Sequence, residues 1–496
     1  MCVDSGARGS VQCIHSHNGE YPCSWCLHPG ETEGGGSSAR KFRQLVPNPA
    51  ERTLEEVIRD AKSVLALPGN DNHVNGVLGI SPLVRCPKFH IVHGMVLDSL
   101  HWASFGVARR MGKLWLGATK KKKSKKNNAV NQNQQKTQMP AYYVGTDVTK
   151  GVLSGRISKL RPPREVRRLP RDLSQLSEFN AREWENMTLF FSVPVFKNIL
   201  PERFLRHWIL FVQAFYLLMK SELDKSEIEV ARQLMKIFVD DTFDLYGLKE
   251  LNYNMQISNH AADNALRWGA AWCISTYAFE NGNGNLKKRI HAERGLAHQI
   301  LRSLERDSSL SVLRRLSSTA QTDDFRTRLG RKEVLKSFFA GSVECMMPKP
   351  FSPSPEESWL CERNGIDTVG FVQCNRIIVK NVCYAVDNGS RMDNSYACCA
   401  DSSIVKIRKI TANDKSGNVY LFVSKVRCTP YPLPQLPRSI MSKNFSRFMF
   451  TVDLVEQGVT LIESSMLKTI CVSMVINDRF LNCHYLSVMP NIVNVF

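Results

Sequence analysis

Residues 2–31 read CVDSGARGSVQCIHSHNGEYPCSWCLHPGE, and the cysteine pair near the end of this stretch is its most informative feature. Cys23 and Cys26 form a C-x-x-C pair, and Asp4 stands 19 residues before Cys23. Two thiolates at this spacing can hold one tetrahedral zinc ion from a tight turn. One pair supplies half of such a site, so two interpretations stay open: a zinc site completed by distant residues, or two buried thiols in a loop.

A second informative stretch lies at 246–288 and reads YGLKELNYNMQISNHAADNALRWGAAWCISTYAFENGNGNLKK. In it, His260 stands 20 residues before Glu280, which belongs to the phrase AFENGNG. The stretch lies in a region, from about 173 to 298, where apolar residues recur at helical spacing, which predicts a helical bundle. The stripes cover 203–220, 226–246 and 262–279, and their aromatic residues are predicted to be core: Trp208, Phe211, Phe215, Phe238, Trp268 and Trp272.

The remaining segments differ in composition and in the spacing of their apolar residues. Residues 49–67 and 97–116 show helical spacing, the latter interrupted by Gly106 and Gly112. Residues 301–365, rich in Ser, Arg, Asp and then Pro, predict a linker. From about residue 371 onward, short β-branched and aromatic runs alternate with Asn, Asp, Gly and Ser turns, which predicts five or more strands in a closed or partly open β domain.

Five segments, in this order, resemble the transposases of CACTA (En/Spm) elements in their animal form. The resemblance covers approximately residues 1–300, with a weaker similarity in the β region. The similarity of each segment alone is modest, but five segments in the order found in the family make the resemblance specific. They are VDSGAR with NGEYPCSWCLHPGE (3–31), GISPLVRCPKFHIVHGMVLDSLHWASFGVARRMGKLWLG (79–117), RPPREVRRLPR (161–171), FFSVPVFKNILPERFLRHWILFVQAFYLL (190–218) and WGAAWCISTYAFENGNGNLKK (268–288).

The resemblance implies an α+β chain, mostly helical, in which an incomplete RNase H-like core is interrupted by a large helical insertion and followed by a small β domain. The RNase H-like parts would be 1–46, with the C-x-x-C loop, and the closing helix at 263–300. The insertion would span 47–262, with a disordered basic loop at 118–140. The linker at 301–365 and the β-rich domain at 366–496 would complete the chain.

The resemblance also assigns the candidate site. Family members, among them the large subunit of the V(D)J recombinase, use three acidic residues to hold two divalent metals. Asp4 would match the second acid and Glu280 the third, whereas Cys23, Cys26 and His260 would match zinc ligands that hold the insertion together. Two Mg²⁺ or Mn²⁺ ions held by carboxylates activate a nucleophile and stabilise the leaving oxygen in phosphodiester cleavage and strand transfer.

Two departures from the family pattern matter for this assignment. The first acid of the family lies on an earlier strand, and only three residues precede Asp4 here. We therefore expect a catalytically incomplete protein, unless the sequence is a fragment of a longer one. The family also carries two histidines before the glutamate, and Gln256 occupies the place of the earlier one. His15 or His17 would be the substitutes.

Two acidic residues, Asp98 and Glu280, have competing interpretations. Asp98 lies three residues before His101, and this D-x-x-H phrase also recurs in the family. It predicts either a metal site or a structural Asp–His hydrogen bond, and we favour the hydrogen bond. Glu280 has the alternative of an exposed helix glutamate before a Gly–Asn turn.

The charge pattern predicts an anionic partner. Lys and Arg total 66 against 46 Asp and Glu, a formal net charge of +20, which is typical of nucleic-acid binding. Lys120, Lys121, Lys122 and Lys123 belong to a lysine block that indicates nuclear import or phosphate contact, the alternative being a solvated insertion. Arg161, Arg164, Arg167 and Arg168 lie on a proline-stiffened segment that could contact successive phosphates, or serve as a charged linker.

The sequence indicates an intracellular protein. Residues 1–15 lack the pattern of a secretory signal, the 15 cysteines are scattered, and the longest apolar run, 208–219, is too short for a bilayer. Three hypotheses follow: a transposon-derived nuclear protein that binds DNA, as a homodimer if it behaves as related recombinases do; a competent nuclease whose missing Asp comes from another residue or chain; or a non-enzymatic nuclear interaction protein.

Overall fold

The computed structural model describes residues 1–491 except 33–38, 68–72, 118–138, 320, 323–324, 326–336, 414, 435 and 442. The fold is mixed α+β, and helical residues (42%) outnumber strand residues (19%). None of the helices among the described residues combines the length and the apolar character that crossing a membrane requires. The predicted basic loop, including Lys120, Lys121, Lys122 and Lys123, lies outside the described residues apart from its last two positions.

Twelve helices, described up to residue 316, build the larger part of the molecule. Two π-helical segments, Leu100–Ala108 and Met187–Phe191, lead directly into α3 and α6. The α-helices are α1 (Ser5–Gln12), α2 (Leu54–Ala66), α3 (Arg109–Leu116), α4 (Asp147–Ser158), α5 (Ala181–Asn186), α6 (Ser192–Phe196), α7 (Glu202–Leu218), α8 (Lys225–Tyr246), α9 (Tyr253–Ile257), α10 (Ala261–Trp268), α11 (Tyr277–Lys287) and α12 (Leu296–Leu316).

Helix α7 lies at the centre of the helical region, and every residue from His207 to Leu218 is buried. Its aromatic rings form a continuous stack: Trp208 packs on Phe211 at 5.1 Å, and Phe211 packs on Phe215 at 5.9 Å between ring centroids. The predicted aromatic core is confirmed there. It is wrong for Trp268, which is 47% exposed and donates its indole N–H to a backbone carbonyl.

The predicted third stripe, 262–279, is two helices rather than one. Helix α10 ends at Gly269, whose φ of +88° is open to glycine and strained for other residues. Helix α11 begins only at Tyr277. The apolar spacing across the gap therefore belongs to two helices separated by a turn.

The second part of the molecule is a closed antiparallel barrel. Six strands pair in a ring, β7–β8–β9–β10–β13–β12–β7. The predicted C-terminal β domain is confirmed, and of the two forms left open, closed or partly open, it has the closed one. The strands are β1 (Ser337–Ala340), β2 (Val343–Met346), β3 (Lys349–Pro350), β4 (Val372–Cys374), β5 (Arg376–Val379), β6 (Val382–Ala385), β7 (Tyr396–Cys399), β8 (Ile404–Ala412), β9 (Val419–Pro430), β10 (Met449–Val455), β11 (Thr460–Glu463), β12 (Leu467–Asn477) and β13 (Asn482–Val488).

The segment 301–365 contains more regular structure than the predicted linker. It holds most of α12, the β1–β2 hairpin, which pairs through β2 with β5 and β6, and a helix at Pro355–Arg363. None of the α12 side chains is buried, so this helix lacks the buried stripe that would have marked it as part of a core.

The thirteen strands all lie beyond residue 336. Among the described residues, 1–46 and 263–300 contribute helices and isolated β-bridges only. The RNase H-like core therefore stays a prediction, whereas the mixed, mostly helical architecture with a C-terminal β domain is confirmed.

Candidate metal centre and adjoining groove

The loop that carries Cys23 and Cys26 is held by a buried arginine. The Arg52 guanidinium donates to the carbonyl oxygens of Cys23 (2.8 Å), Tyr21 (2.7 Å) and Asn75 (2.8 Å). Arg52 follows directly from an isolated bridge between Cys26 and Glu51. Because two separate backbone segments, residues 21–23 and Asn75, converge on one guanidinium, the two thiols lie on a fixed, buried turn.

His260 joins the cysteine pair from the other end of the helical region. It lies just before α10, and its Nε2 is 3.4 Å from the Cys23 Sγ. The ligand atoms of Cys23, Cys26 and His260 all lie within 4.8 Å of one another. The structure thus brings together the three residues predicted as zinc ligands, and two thiolates with one imidazole suit a metal such as zinc.

Burial and mutual contact set the ionisation of this cluster. Burial alone would raise the pKa of Cys23, but the hydrogen bond from Cys26 and the charge of His260 hold it well below its usual value. The same contact with Cys23, together with burial, raises the pKa of Cys26. Burial acts to lower the pKa of His260, and the adjacent Cys23 thiolate raises it. Cys23 is therefore the more acidic of the two thiols, and a bound cation would replace the protons of the cluster.

The histidines predicted as substitutes for a fourth ligand lie elsewhere. His15 packs against His73, with ring centroids 4.3 Å apart, and its Nδ1 is 2.8 Å from the carbonyl oxygen of Glu20. His17 lines a separate groove with Asp4. Gln256 is the side chain that reaches the cluster, with its Nε2 3.0 Å from the Cys26 Sγ.

A second polar cluster surrounds Asp98. Its carboxylate is 1% exposed and accepts from the Thr276 N–H (2.8 Å) and hydroxyl (2.6 Å), from the Leu100 N–H (3.2 Å), and from the His101 N–H (3.2 Å). The His101 ring nitrogen Nδ1 lies 2.5 Å from the same carboxylate. The favoured Asp–His hydrogen bond is confirmed, and both carboxylate oxygens are fully used.

This cluster connects the start of the π-helical segment Leu100–Ala108 to the helix that carries Glu280. Hydrogen bonding to Asp98 raises the pKa of His101. Burial acts to raise the pKa of Asp98, but the hydrogen bonds from His101 and Thr276 lower it. Since Thr276 immediately precedes α11, its two bonds to Asp98 set where that helix begins. Glu280 lies in the first turn of α11, which continues through the Gly–Asn phrase, so the predicted turn there is absent.

Both predicted acidic residues face the His101 imidazole. The Glu280 Oε1 lies 3.5 Å from the His101 Nε2, with the carboxylate about half exposed. Asp4 shares a cavity of about 330 Å³ with His101, and its charge contributes to raising the pKa of that imidazole. The Asp4 Oδ1 also accepts from the Ala7 N–H at 2.6 Å as the N-cap of α1.

Basic residues that the sequence analysis did not single out border this cavity. Arg40 and Lys41 line it together with Asp4. A second cavity of about 330 Å³ shares Asn252 and Asn254 with the first, and the two form one groove. Three further cations line the second cavity: Arg109, Arg110 and Lys113. The R-R-M-G-K phrase at 109–113 carries this signal in the sequence, although it holds fewer basic residues than the lysine block or the segment 161–171.

The predicted arginine cluster divides into two groups. Arg164, Arg167 and Arg168 are exposed. Arg161 pairs with Asp387 of the β domain at 2.6 Å, so part of the predicted phosphate-binding segment instead contacts the barrel.

Comparison of the chain with protein-family models, with curated proteins and with solved structures finds no match.

Proposed function

We propose that this chain is a transposon-derived, DNA-binding protein that resembles a DDE transposase, with Asp4 and Glu280 as two of the acids of its metal site. The observation that carries the proposal is that these residues, from distant parts of the sequence, both face His101. The cluster of Cys23, Cys26 and His260 supports it as well, because a zinc ion there would join the two ends of the helical insertion.

The groove that Asp4 lines suits a phosphate backbone. Arg40 donates to a backbone carbonyl and pairs with Glu20 at 3.6 Å, and Arg110 makes a bidentate pair with Glu250. Arg109 and Lys113 have no ion-pair partner among the carboxylates that the structure describes. These two cations are therefore free to contact phosphates, and Arg164, Arg167 and Arg168 would extend the basic surface.

The proposed activity is binding rather than cleavage by this chain alone. Two divalent metals, Mg²⁺ or Mn²⁺, would supply nucleophile activation and leaving-group stabilisation, and Asp4 and Glu280 would hold them. A third carboxylate is needed, and the nearest candidate, Asp98, already accepts from Thr276, Leu100 and His101. Nuclear localisation through the lysine block at 120–123 and homodimerisation on paired ends complete the proposal.

Fluorescence anisotropy with labelled duplex DNA tests the binding. We expect affinity to fall steeply between about 50 and 200 mM salt, with a slope of about −0.9 per neutralised phosphate in log K against log salt. The double variant Arg109→Gln/Lys113→Gln should reduce that slope by about 2. Its control, Arg203→Gln/Arg206→Gln, removes the same charge from exposed positions of α7 and should leave the slope unchanged.

Three results would change the conclusion. Equal effects of the two double variants would remove the groove from the proposal. Absence of binding at low salt would favour the non-enzymatic interaction protein. Cleavage of supercoiled plasmid in Mg²⁺ or Mn²⁺ that is lost in Asp4→Asn and in Glu280→Gln would establish the active nuclease instead.

A further inference from the structure

Gln256 touches two of the three candidate metal ligands. It lies in α9, four residues before His260, and is 4% exposed. The Gln256 Nε2 lies 3.0 Å from the Cys26 Sγ and 3.4 Å from the His260 Nε2. The end of this side chain therefore lies where a fourth ligand would complete a tetrahedron with Cys23, Cys26 and His260.

The orientation of the Gln256 carboxamide depends on what lies inside the cluster. Without a cation, the amide nitrogen faces the sulfur, since an N–H donates to a thiol or thiolate. In that orientation the Gln256 Oε1 is buried and has no hydrogen-bond partner. A buried acceptor without a hydrogen-bond partner destabilises this orientation. Rotation of the amide by 180° exchanges its oxygen and nitrogen with almost no change in shape.

We propose that Gln256 is the fourth protein ligand of a zinc ion held by Cys23, Cys26 and His260, with Oε1 turned toward the metal. Two thiolates, a neutral imidazole and a neutral amide give a site with no net charge around Zn²⁺, which suits a buried position. Four protein ligands make the centre a closed, structural one. The alternative is a water as fourth ligand, because a cavity of about 470 Å³ borders Cys26, Gln256 and His260.

This inference rests on the metal centre and is independent of nucleic-acid binding. A chain that binds zinc through four protein ligands yet does not bind DNA would keep the inference and lose the proposed function. A chain that binds DNA in a salt-dependent way but binds no zinc would keep the proposed function and lose the inference.

The experiment measures zinc directly on the full chain. We expect one zinc per chain by elemental analysis, and a Co²⁺-substituted protein with the intense visible absorption of tetrahedral cobalt. Gln256→Leu, which keeps the size but removes the ligand, should weaken zinc binding at least about tenfold in competition with a chromophoric chelator. Gln256→His should bind at least as tightly as the original chain, because an imidazole nitrogen is a preferred zinc ligand.

Two further variants make the result unambiguous. Asn259→Ala alters the same cavity without reaching the cluster and should keep the original affinity and cobalt spectrum. Cys26→Ser removes an assigned ligand and should lose zinc. Wild-type affinity and an unchanged cobalt spectrum in Gln256→Leu would overturn the proposal in favour of a water ligand, and absence of zinc from the wild-type chain would overturn the centre itself. Far-UV circular dichroism and urea unfolding of Gln256→Leu itself verify that this variant folds.

Discussion

His207 is a buried imidazole whose environment favours its neutral form. It lies in α7 and is 3% exposed, and its ring stacks on Phe238 with centroids 4.4 Å apart. The Nε2 is 2.8 Å from the Phe238 carbonyl oxygen, so it carries the proton of the neutral ring, while Nδ1 is buried without a partner. Burial lowers the pKa of His207 to about 4.

This shift predicts a loss of stability in mild acid. The unfolded imidazole takes up a proton near its ordinary pKa of about 6.5, whereas the folded one does so only near 4. Between these values the unfolded state binds more protons, so the free energy of unfolding falls as the pH falls, by about 3 kcal/mol over the full window. We expect His207→Gln, which keeps a donor for the carbonyl, to lose most of this dependence.

Urea unfolding at a series of pH values between 7 and 4.5 measures the effect. The matched control, His298→Gln, changes an exposed histidine of α12 and should keep the pH dependence of the original chain. A His207→Gln chain that loses stability with acid as steeply as the control would show that His207 is not the responsible group. His484, whose pKa burial also lowers to about 4, remains in both variants and sets the residual slope.

At the same residue scale, the candidate site was only partly predictable. The spacing of Cys23 and Cys26 and the resemblance together identified His260, because zinc ligands and their order are local sequence features. The place of His15 was not predictable: it depends on the His73 ring, which a different loop brings to it. Gln256 occupies the place of the family's earlier histidine, but its residue type gave no indication of a ligand, since a buried glutamine is ordinary at a helix–helix contact.

Helix α3 shows how an element can depend on a residue without a side chain. Gly112 interrupts the apolar pattern and would ordinarily weaken a helix. A Cβ at this position would lie 2.6 Å from the ring carbons Cζ3 and Cη2 of Trp184, on α5. Trp184 is itself buried and packed on Phe179, so it has little room to move. The glycine is therefore a contact point between two helices.

Gly112→Ala should destabilise the protein although alanine is the better helix former. The helical preference for alanine contributes about 1 kcal/mol in favour of the variant, whereas forcing a methyl group into a packed core costs about 1–3 kcal/mol. We expect a net loss of up to about 2 kcal/mol in urea unfolding. The control is Gly151→Ala in α4, where a Cβ meets nothing within 4 Å and a small gain is expected. Equal stability of the two variants would contradict the role of the Trp184 contact.

The helices and strands that could be predicted best are those whose burial produces regular apolar spacing in the sequence. Helices α7 and α8 and the strands β8, β9 and β12 carry regular apolar spacing because each buries one face or more. Helix α12 buries no side chain, so its Ser- and Arg-rich sequence resembled a linker. The π-helical geometry of Leu100–Ala108, which moves His101 relative to an α-helical register, has no counterpart in apolar spacing.

At the scale of the whole molecule, a buried guanidinium helps to join the helical region to the barrel. Arg156, in α4, is 4% exposed and donates to the carbonyl oxygens of Val195 and Lys197, both at 2.7 Å, at the end of α6. It also pairs with Asp478, in the turn between β12 and β13, at 2.7 Å and 3.2 Å. Arg156 is basic, yet its burial shows that it contacts protein and not solvent.

Removing the Asp478 carboxylate should weaken the contact between the helical region and the barrel. Asp478→Asn leaves a buried guanidinium charge with neutral acceptors only, and unpairing a buried ion pair costs about 3–5 kcal/mol. Because the Asp478 side chain is 21% exposed, we expect a smaller loss, about 2–3 kcal/mol. The hydrogen bond from Arg156 lowers the pKa of Asp478, so this contribution is present at neutral pH and is lost only as the pH falls below about 4.

The distribution of tryptophan allows the two parts to be followed separately. Seven of the eight tryptophans lie between residues 25 and 272, and none lies in the barrel strands, so fluorescence reports on the helical region and far-UV circular dichroism on both parts. In urea, Asp478→Asn should lower the midpoint and separate the two transitions, since the joining contact is weakened. The control Asp387→Asn breaks the more exposed pair with Arg161 and should cost less than about 1 kcal/mol. Coincident transitions at the wild-type midpoint in Asp478→Asn would mean that the apolar contacts between barrel and helices, and not this ion pair, hold the molecule together.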